Sequence, residues 1–308
     1  DPDPAHRWQT PAGAAWRQPP APIDESLITD GGTYDVVVVG GGQSGTWCAR
    51  SASMNGATVA VVEAQPEDTF LYVGGQVGVV NSQWAIAHGA DEVDPEELLH
   101  ELFRRNAGRS NQALLRQYVY HSGEYLDWAI QDIDEQWLLD NSHVISADRT
   151  PNMVMDPSGY KYFTGTVIFR HKDETAGGPV WMWGPGVVSR HRQKAIEDGT
   201  AWLWGTRAEQ LETDGDGRVV AVLATADDGQ SYQRLRATKG VVLAAGDFGG
   251  NRDMLLDLND EYRHLAESFG DIELAQAGSM MNVRDGWGIR LGVWAGGHVE
   301  AGPHTGMN

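Results

Sequence analysis

The chain is short of cysteine and of long apolar runs, and each shortage excludes a class of function. Cys48 is the only cysteine among 308 residues. An internal disulfide, an all-cysteine iron–sulfur cluster and a haem attached through two cysteines are therefore excluded. If electrons pass through this protein, another kind of carrier must hold them. The sequence also contains no apolar run of about 18 residues, so it predicts no membrane-spanning helix.

Positive charge is scarce as well. Lysine and arginine together number 23 against 43 acidic residues, which gives a formal net charge of -20. An acidic surface repels nucleic acid and anionic membranes, so we expect neither as a partner. The simplest use of this acidity is solubility.

The length and the 41% hydrophobic content allow one large domain or two smaller ones. Residues 1–32 are rich in proline and alanine without a period, which predicts an extended N-terminal arm. The chain starts at Asp1 rather than at methionine. Removal of a signal peptide is one explanation for this start, and tag removal or fragmentation is another.

The stretch TYDVVVVGGGQSG carries the strongest signal in the chain. Its apolar part, Asp35 to Val39, predicts a strand of a parallel sheet that is buried on both faces. The glycines that follow form the pattern GxGxxG at Gly40, Gly42 and Gly45. In that pattern the first glycine permits a tight turn, the second admits a diphosphate and the third lets a helix pack closely.

The residues after the glycines complete a βαβ unit. A helix is predicted from Gln43 to Asn55, with Gly56 ending it, and a second strand from Thr58 to Val62. Glu63 ends that strand, where a carboxylate can accept hydrogen bonds from a ribose. The unit therefore predicts a dinucleotide site, and the fingerprint alone is shared by FAD and NAD sites.

The lone cysteine falls inside that helix. The helical period predicts that Cys48 faces the strand together with Ser44 and Ala52, all three being small enough for close packing. We interpret Cys48 as a core residue rather than as a reactive thiol.

Further strands follow later in the chain. Val241 to Ala244 predict another buried strand, and two hairpin-like segments, 200–214 and 217–230, precede it. The turn that joins them, Asp214 to Arg218, lacks the ligand spacing of a calcium loop, so we interpret it as an ordinary hairpin turn. The sequence predicts no metal site.

Several motifs resemble the FAD-binding flavoproteins of the fumarate reductase and succinate dehydrogenase superfamily, which also includes the 3-ketosteroid dehydrogenases. The segment VVLAAGDFGGN is similar to that family's VVLATGGFGGN and departs from it at Ala245 and Asp247. The segments LYVGGQVGVVN, GTRAEQL and DGWGIRLGVWAGG also resemble family motifs. The helical stretch after Asn81 and the arm before Asp35 look like those of secreted bacterial members.

The resemblance implies FAD as the cofactor and assigns residues to it. The residues expected to bind FAD are Gly40, Gly41, Gly42, Gln43, Ser44, Gly45, Glu63, Ala64, Gly74, Gly75, Gln76, Ala208, Ala245, Gly246 and Asp247. Ala208 would meet the adenine through its backbone, and the glycine pair would lie along the flavin. No histidine stands just before Gly74, so the FAD is expected to be non-covalent.

The resemblance also implies the fold. We expect an α/β fold, with a Rossmann-like FAD-binding domain built on a parallel central sheet and the beginning of an inserted α+β capping domain. The expected boundaries are 33–255 for the FAD-binding domain and 256–308 for the capping segment. Two helices are predicted between the motifs, one of them beginning with Asp94 as its N-cap and Pro95 as its first residue. Their apolar stripes are expected to be core, and the second contains Leu114, Leu115, Tyr118, Val119, Leu126 and Trp128.

The implied activity is the reduction of an activated C=C bond next to a carbonyl or carboxylate group. A 3-ketosteroid-type dehydrogenase and a FAD-binding subunit that needs a partner chain are the alternatives. His304 is the candidate substrate-side histidine, and a structural role near the chain end is its alternative. We further expect an external electron carrier, a second polypeptide or C-terminal fragment that completes the site, and an extracytoplasmic location.

The segment GGPVWMWGPGVV is unusually aromatic. If it is extended, Trp181 and Trp183 point the same way. They would then form either a wall for a flat apolar substrate or ordinary packing beneath a loop, and we favour the packing.

Overall fold

A computed structural model describes residues 15–70, 75–144, 163, 165–170, 182–269 and 284–300. The chain divides into two compact units. The first unit contains Asp1–Phe70 and Arg192–Asn308, and the second contains Leu71–His191. The boundaries 33–255 and 256–308 inferred from the sequence stay a prediction.

The first unit is built on a β-α-β crossover. Strand β1 (Ile28–Val39) leads through helix α1 (Gln43–Met54) into strand β2 (Val59–Val62), which pairs parallel to β1. Helix α1 ends at Met54 with Asn55 as its C-cap, and Gly56 follows with a φ of +77°. The predicted helix and its terminating glycine are thus confirmed, and the second strand begins one residue later than expected.

A six-stranded sheet forms the body of the first unit. Its remaining strands are β6 (Ala201–Leu203), β7 (Arg207–Thr213), β8 (Val219–Thr225) and β9 (Tyr232–Leu243), in the order β6-β2-β1-β9-β8-β7. Strands β6, β2, β1 and β9 run parallel, whereas β7 and β8 form an antiparallel extension. The expected α/β class with a parallel central sheet is confirmed.

Two apolar clusters cover the two faces of this sheet. On one face Val38, Val59 and Val61 pack with Ala49 of α1. On the other face Val37 and Val39 pack with residues of the β7–β8 hairpin and with Leu291. Strand β1 is therefore buried on both faces at its carboxyl end, as its run of valines predicts.

Three strands differ from the prediction. Strand β1 begins at Ile28 rather than at Asp35, because its first residues also pair with β9 from Tyr232 onward. Strand β6 pairs parallel with β2, so Ala201–Leu203 belong to the central sheet rather than to a hairpin. Strand β9 is longer than expected, and Leu243 near its end is 38% exposed rather than buried.

The turn between β7 and β8 is confirmed as an ordinary hairpin turn. Strands β7 and β8 pair antiparallel on either side of it. The Asp214 carboxylate accepts the backbone N–H groups of Asp216 and Arg218 at 3.0 and 2.9 Å. The Asp214 carboxylate therefore stabilises the turn through these hydrogen bonds.

The first unit also contains helices near its carboxyl end. They are α7 (Arg252–Leu258), α8 (Asp260–Phe269) and α9 (Trp287–Trp294), and α6 (Ser189–Glu197) spans the boundary between the units. Short 3-10 turns occupy Ala15–Arg17, Glu25–Leu27 and Glu67–Thr69. No helix in the described part of the chain is both long and apolar enough to cross a membrane.

The second unit is mainly helical. It contains α2 (Gln83–Ala87), α3 (Pro95–Arg105), α4 (Gln112–Ile130) and α5 (Glu135–Asn141), with a small antiparallel sheet of β3 (Gln76–Gly78), β4 (Ser142–Val144) and β5 (Thr166–Phe169). Asp94 caps α3 by accepting the N–H groups of Glu96 and Glu97, as predicted.

The predicted core stripe of α4 is only partly correct. Val119 and Leu126 are buried at 1% and 0% exposure. Leu114 and Tyr118 are instead 66% and 42% exposed. The helical period identifies the helix, but it does not tell which of its apolar residues a neighbour covers.

Candidate cofactor site

At two positions of the glycine turn after β1, the neighbouring backbone leaves no room for a side chain. Gly40 has a φ of +98°, and a Cβ added there would lie 2.5 Å from the carbonyl oxygen of Ala244. A Cβ added at Gly45 would lie 1.8 Å from the carbonyl oxygen of Gly40. The first glycine is therefore required by the turn and by the neighbouring strand, and the third by the packing of α1 on the turn.

Gly42 differs from its neighbours because it faces open space. No heavy atom lies within 4 Å of a Cβ added at this residue. Gly42 is also the N-cap of α1, no side chain caps the helix, and its first turn contains no acid. The unpaired N–H groups and the positive end of the helix dipole are thus open to an anion, such as a diphosphate.

Glu63 is a buried acid at the end of β2. It is 6% exposed. Its Oε2 accepts the N–H of Gly41 at 2.6 Å, and its Oε1 accepts the N–H of Gln65 at 2.7 Å. The carboxylate therefore links the glycine turn to the end of the second strand, and each oxygen retains a lone pair for a ribose hydroxyl.

Trp202 on β6 is a residue of the site that the sequence did not indicate. Its ring lies against the glycine turn, because a Cβ added at Gly41 would come within 2.7 Å of Trp202 Cζ2. The centroids of the Trp202 and Trp204 rings are 5.6 Å apart. The Arg192 guanidinium lies 5.1 Å from the centroid of the Trp204 ring. The signal was the alternating TAWLW pattern, whose pairing with β2 becomes visible only in the fold.

The loop after β9 reaches the glycine turn from the other side. The N–H of Ala244 donates to the carbonyl of Val39 at 2.7 Å. Gly246 has a φ of +87°, and Asp247 is exposed, with its Oδ1 accepting the N–H of Gly249 at 2.9 Å. The predicted residues Ala245, Gly246 and Asp247 therefore lie at the same sheet edge as the glycine turn.

Ala208, the residue assigned to the adenine, is buried on β7. Its carbonyl accepts a hydrogen bond from the Trp287 indole N–H. The Trp287 ring lies 4.4 Å from the Arg290 guanidinium and 5.1 Å from that of Arg207. Burial raises the pKa of the neighbouring Glu209, against the opposing effect of Arg207. Trp287 is a second neighbour of the site that sequence reasoning missed.

The remaining predicted residues are only partly described. Gly74 and His304 lie outside the described residues, whereas Gly75 and Gln76 belong to the second unit, where Gln76 begins β3. Gln43 is half-buried as the first residue of α1, and Ala64 is exposed directly after Glu63.

The inner face of α1 requires one correction. Ser44 is exposed rather than turned toward the strand, and Gly45, Thr46 and Ala49 are the buried residues. Cys48 and Ala52 do pack on the sheet cluster. Burial raises the pKa of the Cys48 thiol, so the thiol is protonated at neutral pH, in agreement with a core role.

The aromatic segment is partly described. Trp181 lies outside the described residues. Trp183 is not extended, because it begins a π-helical turn, Trp183–Val188, and it is buried at 1% exposure against Phe169. Trp183 therefore serves packing rather than forming an open wall.

The described residues fit the adenosine diphosphate half of a dinucleotide. The open backbone at Gly42 and the uncapped α1 suit the diphosphate, and Glu63 stands where a ribose would lie. No group of three or more potential metal ligands occurs among the described residues.

Comparison with known proteins identifies the cofactor. A family model described as "FAD binding domain" matches residues 35–304. The cytochrome-type fumarate reductase of Shewanella frigidimarina is 25% identical over 274 residues, which span 87% of this chain and 41% of that protein. The digoxin reductase of Eggerthella lenta is 25% identical over an alignment 325 positions long, which covers 97% of this chain and 46% of that protein.

Solved structures show the same fold. A 3-ketosteroid-Δ4-(5α)-dehydrogenase from Rhodococcus jostii, in complex with 4-androstene-3,17-dione, superposes with a TM-score of 0.64 at 20% identity, covering 88% of this chain and 56% of that one. The open form of a flavocytochrome c3 fumarate reductase gives 0.55 at 22% identity, covering 77% of this chain and 37% of that one. The chain thus spans less than half the length of the two curated relatives and 56% or less of the two solved chains.

Proposed function

The chain belongs to the FAD-binding domain family, and we propose that it is a FAD-dependent oxidoreductase that reduces a C=C bond conjugated to a carbonyl or carboxylate group. The observation that carries the proposal is the glycine turn with its buried acid. The uncapped N-terminus of α1 is available to a diphosphate, and the carboxylate of Glu63 is available to a ribose.

The names of the relatives support the choice of reaction. They include a fumarate reductase, an NADH:acrylate oxidoreductase, a digoxin reductase and a urocanate reductase. Fumarate, acrylate, urocanate and digoxin each contain a C=C bond conjugated to a carbonyl or carboxylate group. A reductase for this class of alkene is therefore the favoured activity.

Bound FAD would supply hydride transfer at its N5 atom. The described residues of this chain would hold the other end of the cofactor. The N-terminus of α1 would stabilise the negative charge of the diphosphate, Glu63 would accept the ribose hydroxyls, and the loop from Ala245 to Asp247 would lie beside the glycine turn.

The test uses the native protein loaded with FAD, purified together with any partner chain. The flavin is reduced with dithionite without oxygen, and fumarate, acrylate or 4-androstene-3,17-dione is then added in separate experiments. We expect at least one alkene to restore the absorbance of oxidised flavin and to yield its saturated product, detected by mass spectrometry. An equal concentration of free reduced FAD is the control.

Two other outcomes separate the alternatives. Desaturation of a saturated 3-ketosteroid, with an artificial acceptor taking the electrons, would favour the hypothesis of a 3-ketosteroid-type dehydrogenase. A flavin that exchanges electrons with the artificial acceptor but with no alkene or steroid would make the chain a FAD-holding subunit. Either result would contradict the proposed reductase activity of this chain.

The partners belong to the same proposal. An external electron carrier would exchange electrons with the flavin, and a second polypeptide or C-terminal part would complete the flavin and substrate sites. The intact mass of native material and its subunit composition would test this. An extracytoplasmic location is supported by the resemblance of the arm to secreted members, and cell fractionation would test it.

A further inference from the structure

We infer that Trp16 is a positioning residue for the FAD-binding loop after β9, acting from an N-terminal strap formed by residues 15–27. Trp16 is 5% exposed and packs with Met254 and Leu258 of α7. Its indole N–H donates to Asp257 Oδ2 at 2.9 Å. Its carbonyl accepts the indole N–H of Trp294 at 3.0 Å, so one residue contacts both α7 and α9.

The strap is held along its length as well as at Trp16. The side-chain amide of Gln210 on β7 donates to the carbonyl of Ala21 at 2.6 Å. The Arg234 guanidinium on β9 forms two hydrogen bonds of 2.8 Å with the Glu25 carboxylate. The strap therefore runs from the α7–α9 pair across the strands to the start of β1, and Trp16 is its most deeply buried anchor.

The contacts continue from Trp16 to the loop after β9. Phe248 of that loop packs on the same cluster as Trp16. Met254 lies against the start of α9, because a Cβ added at Gly286 would come within 2.3 Å of its sulfur. The N–H of Gly286 in turn donates to the carbonyl of Asp247 at 3.0 Å. The α7–α9 pair thus holds the loop on one side.

The loop then contacts the glycine turn. A Cβ added at Gly288 of α9 would lie 3.2 Å from the Cβ of Ala245. A Cβ added at Gly40 would lie 2.9 Å from the Cα of Ala245. An unbroken series of close contacts therefore joins Trp16 to the cofactor turn, and the position of the loop depends on the strap that closes its far side.

The consequence is that the strap preorganises the loop for FAD. A loop with five consecutive residues outside regular structure, 244–248, gains little order from its own sequence. If Trp16 fixes the loop before the cofactor arrives, binding does not have to order it. This inference rests on the proposed assignment of Ala245 to Asp247 to FAD, and the experiment separates the two.

The experiment compares Trp16→Ala, Trp16→Phe and the strap control Gln18→Ala in the full chain. Gln18 is exposed, so its replacement leaves the anchor intact. FAD affinity is measured by fluorescence titration, and backbone amide exchange is measured in the cofactor-free proteins. Far-UV circular dichroism and urea unfolding verify that each variant folds.

We expect Trp16→Ala to weaken FAD binding about tenfold or more and to speed exchange at Gly246–Gly250 without speeding it at Val37–Val39. Trp16→Phe keeps an aromatic ring in the cluster and should restore most of the affinity and protection, while Gln18→Ala should match the parent chain. A purely global loss of stability would speed exchange in both segments alike.

Three results would overturn the inference. Unchanged exchange at Gly246–Gly250 would mean that Trp16 does not hold the loop, and equal acceleration in β1 would mean that it only supports the fold. Faster loop exchange with unchanged FAD affinity would mean that the loop does not contribute to FAD binding. Weakened FAD binding in a protein that reduces no alkene would leave the inference standing and count against the proposed reaction alone.

Discussion

The turn after β1 and the loop after β9 lie side by side at the carboxyl edge of one sheet, and their shapes have different origins. The turn is determined by its own glycines and by one nearby acid, Glu63. The loop is held by residues distant along the chain: Gly286 donates a hydrogen bond to it, and its own Phe248 packs on the cluster that contains Trp16. The cofactor site thus has two halves: the turn, whose shape is encoded locally, and the loop, which is positioned by the tertiary fold.

Gly45→Ala should have the largest effect, because it tests the local half directly. Inside a helix this change ordinarily stabilises by about 1 kcal/mol. Here the new methyl group would lie 1.8 Å from the Gly40 carbonyl oxygen, so the backbone must move. We expect a net loss of about 3 kcal/mol or more in the free energy of unfolding, measured with urea in the cofactor-free chain.

Ser51→Ala is the matched control on the same helix. Ser51 is exposed, so its replacement should change the unfolding free energy by no more than about 0.5 kcal/mol. If Gly45→Ala were as stable as Ser51→Ala, α1 would not pack against the turn as closely as the structure shows.

Glu63→Gln should have the next largest effect, because it removes a charge from the acid that completes the turn. Its carboxylate accepts the N–H groups of Gly41 and Gln65, and a glutamine can accept only one of them well. Loss of the charge-assisted hydrogen bonds should cost roughly 1.5–3 kcal/mol. We expect FAD affinity to fall about tenfold or more, and the cofactor-free chain to unfold at lower urea.

Glu67→Gln is the control for Glu63→Gln, since Glu67 is an exposed acid on the same connection. It should leave both FAD affinity and urea unfolding unchanged. Unchanged FAD affinity in Glu63→Gln would mean that the ribose is held elsewhere.

Gly42→Ala should separate cofactor binding from stability. Its φ of -64° suits alanine, and the added methyl group would face open space. The cofactor-free chain should therefore unfold within about 1 kcal/mol of the parent, the weaker N-cap included. The methyl group would stand where a diphosphate approaches, so FAD affinity should fall several-fold in a fluorescence titration. Full affinity would show that the diphosphate does not approach Gly42.

The same contrast explains how much the sequence could predict. Strand β1, helix α1 and Glu63 were predictable because their signals are local: an apolar run, glycines at fixed spacing and an acid at the end of the next strand. The contacts of Trp202 and Trp287 were not, since each depends on a partner element distant along the chain. The exposed faces of Leu114 and Leu243 were missed for the same reason.

Gly246→Ala should have the smallest effect and gives the sharpest comparison between the two loops. Gly40 and Gly246 have similar positive φ angles of +98° and +87°, so alanine carries a similar backbone penalty of about 1 kcal/mol at either position.

The surroundings of Gly40 and Gly246 differ. The added methyl group meets the backbone of Ala244 at Gly40, but it meets the flexible Arg284 side chain at Gly246. Arg284 can move aside, whereas two paired strands cannot separate without losing hydrogen bonds. We therefore expect Gly246→Ala to lose about 1 kcal/mol in urea unfolding and Gly40→Ala to lose clearly more. Equal losses would show that the loop after β9 is packed as rigidly as the turn after β1, and the distinction between a locally encoded half and a tertiary half would fail.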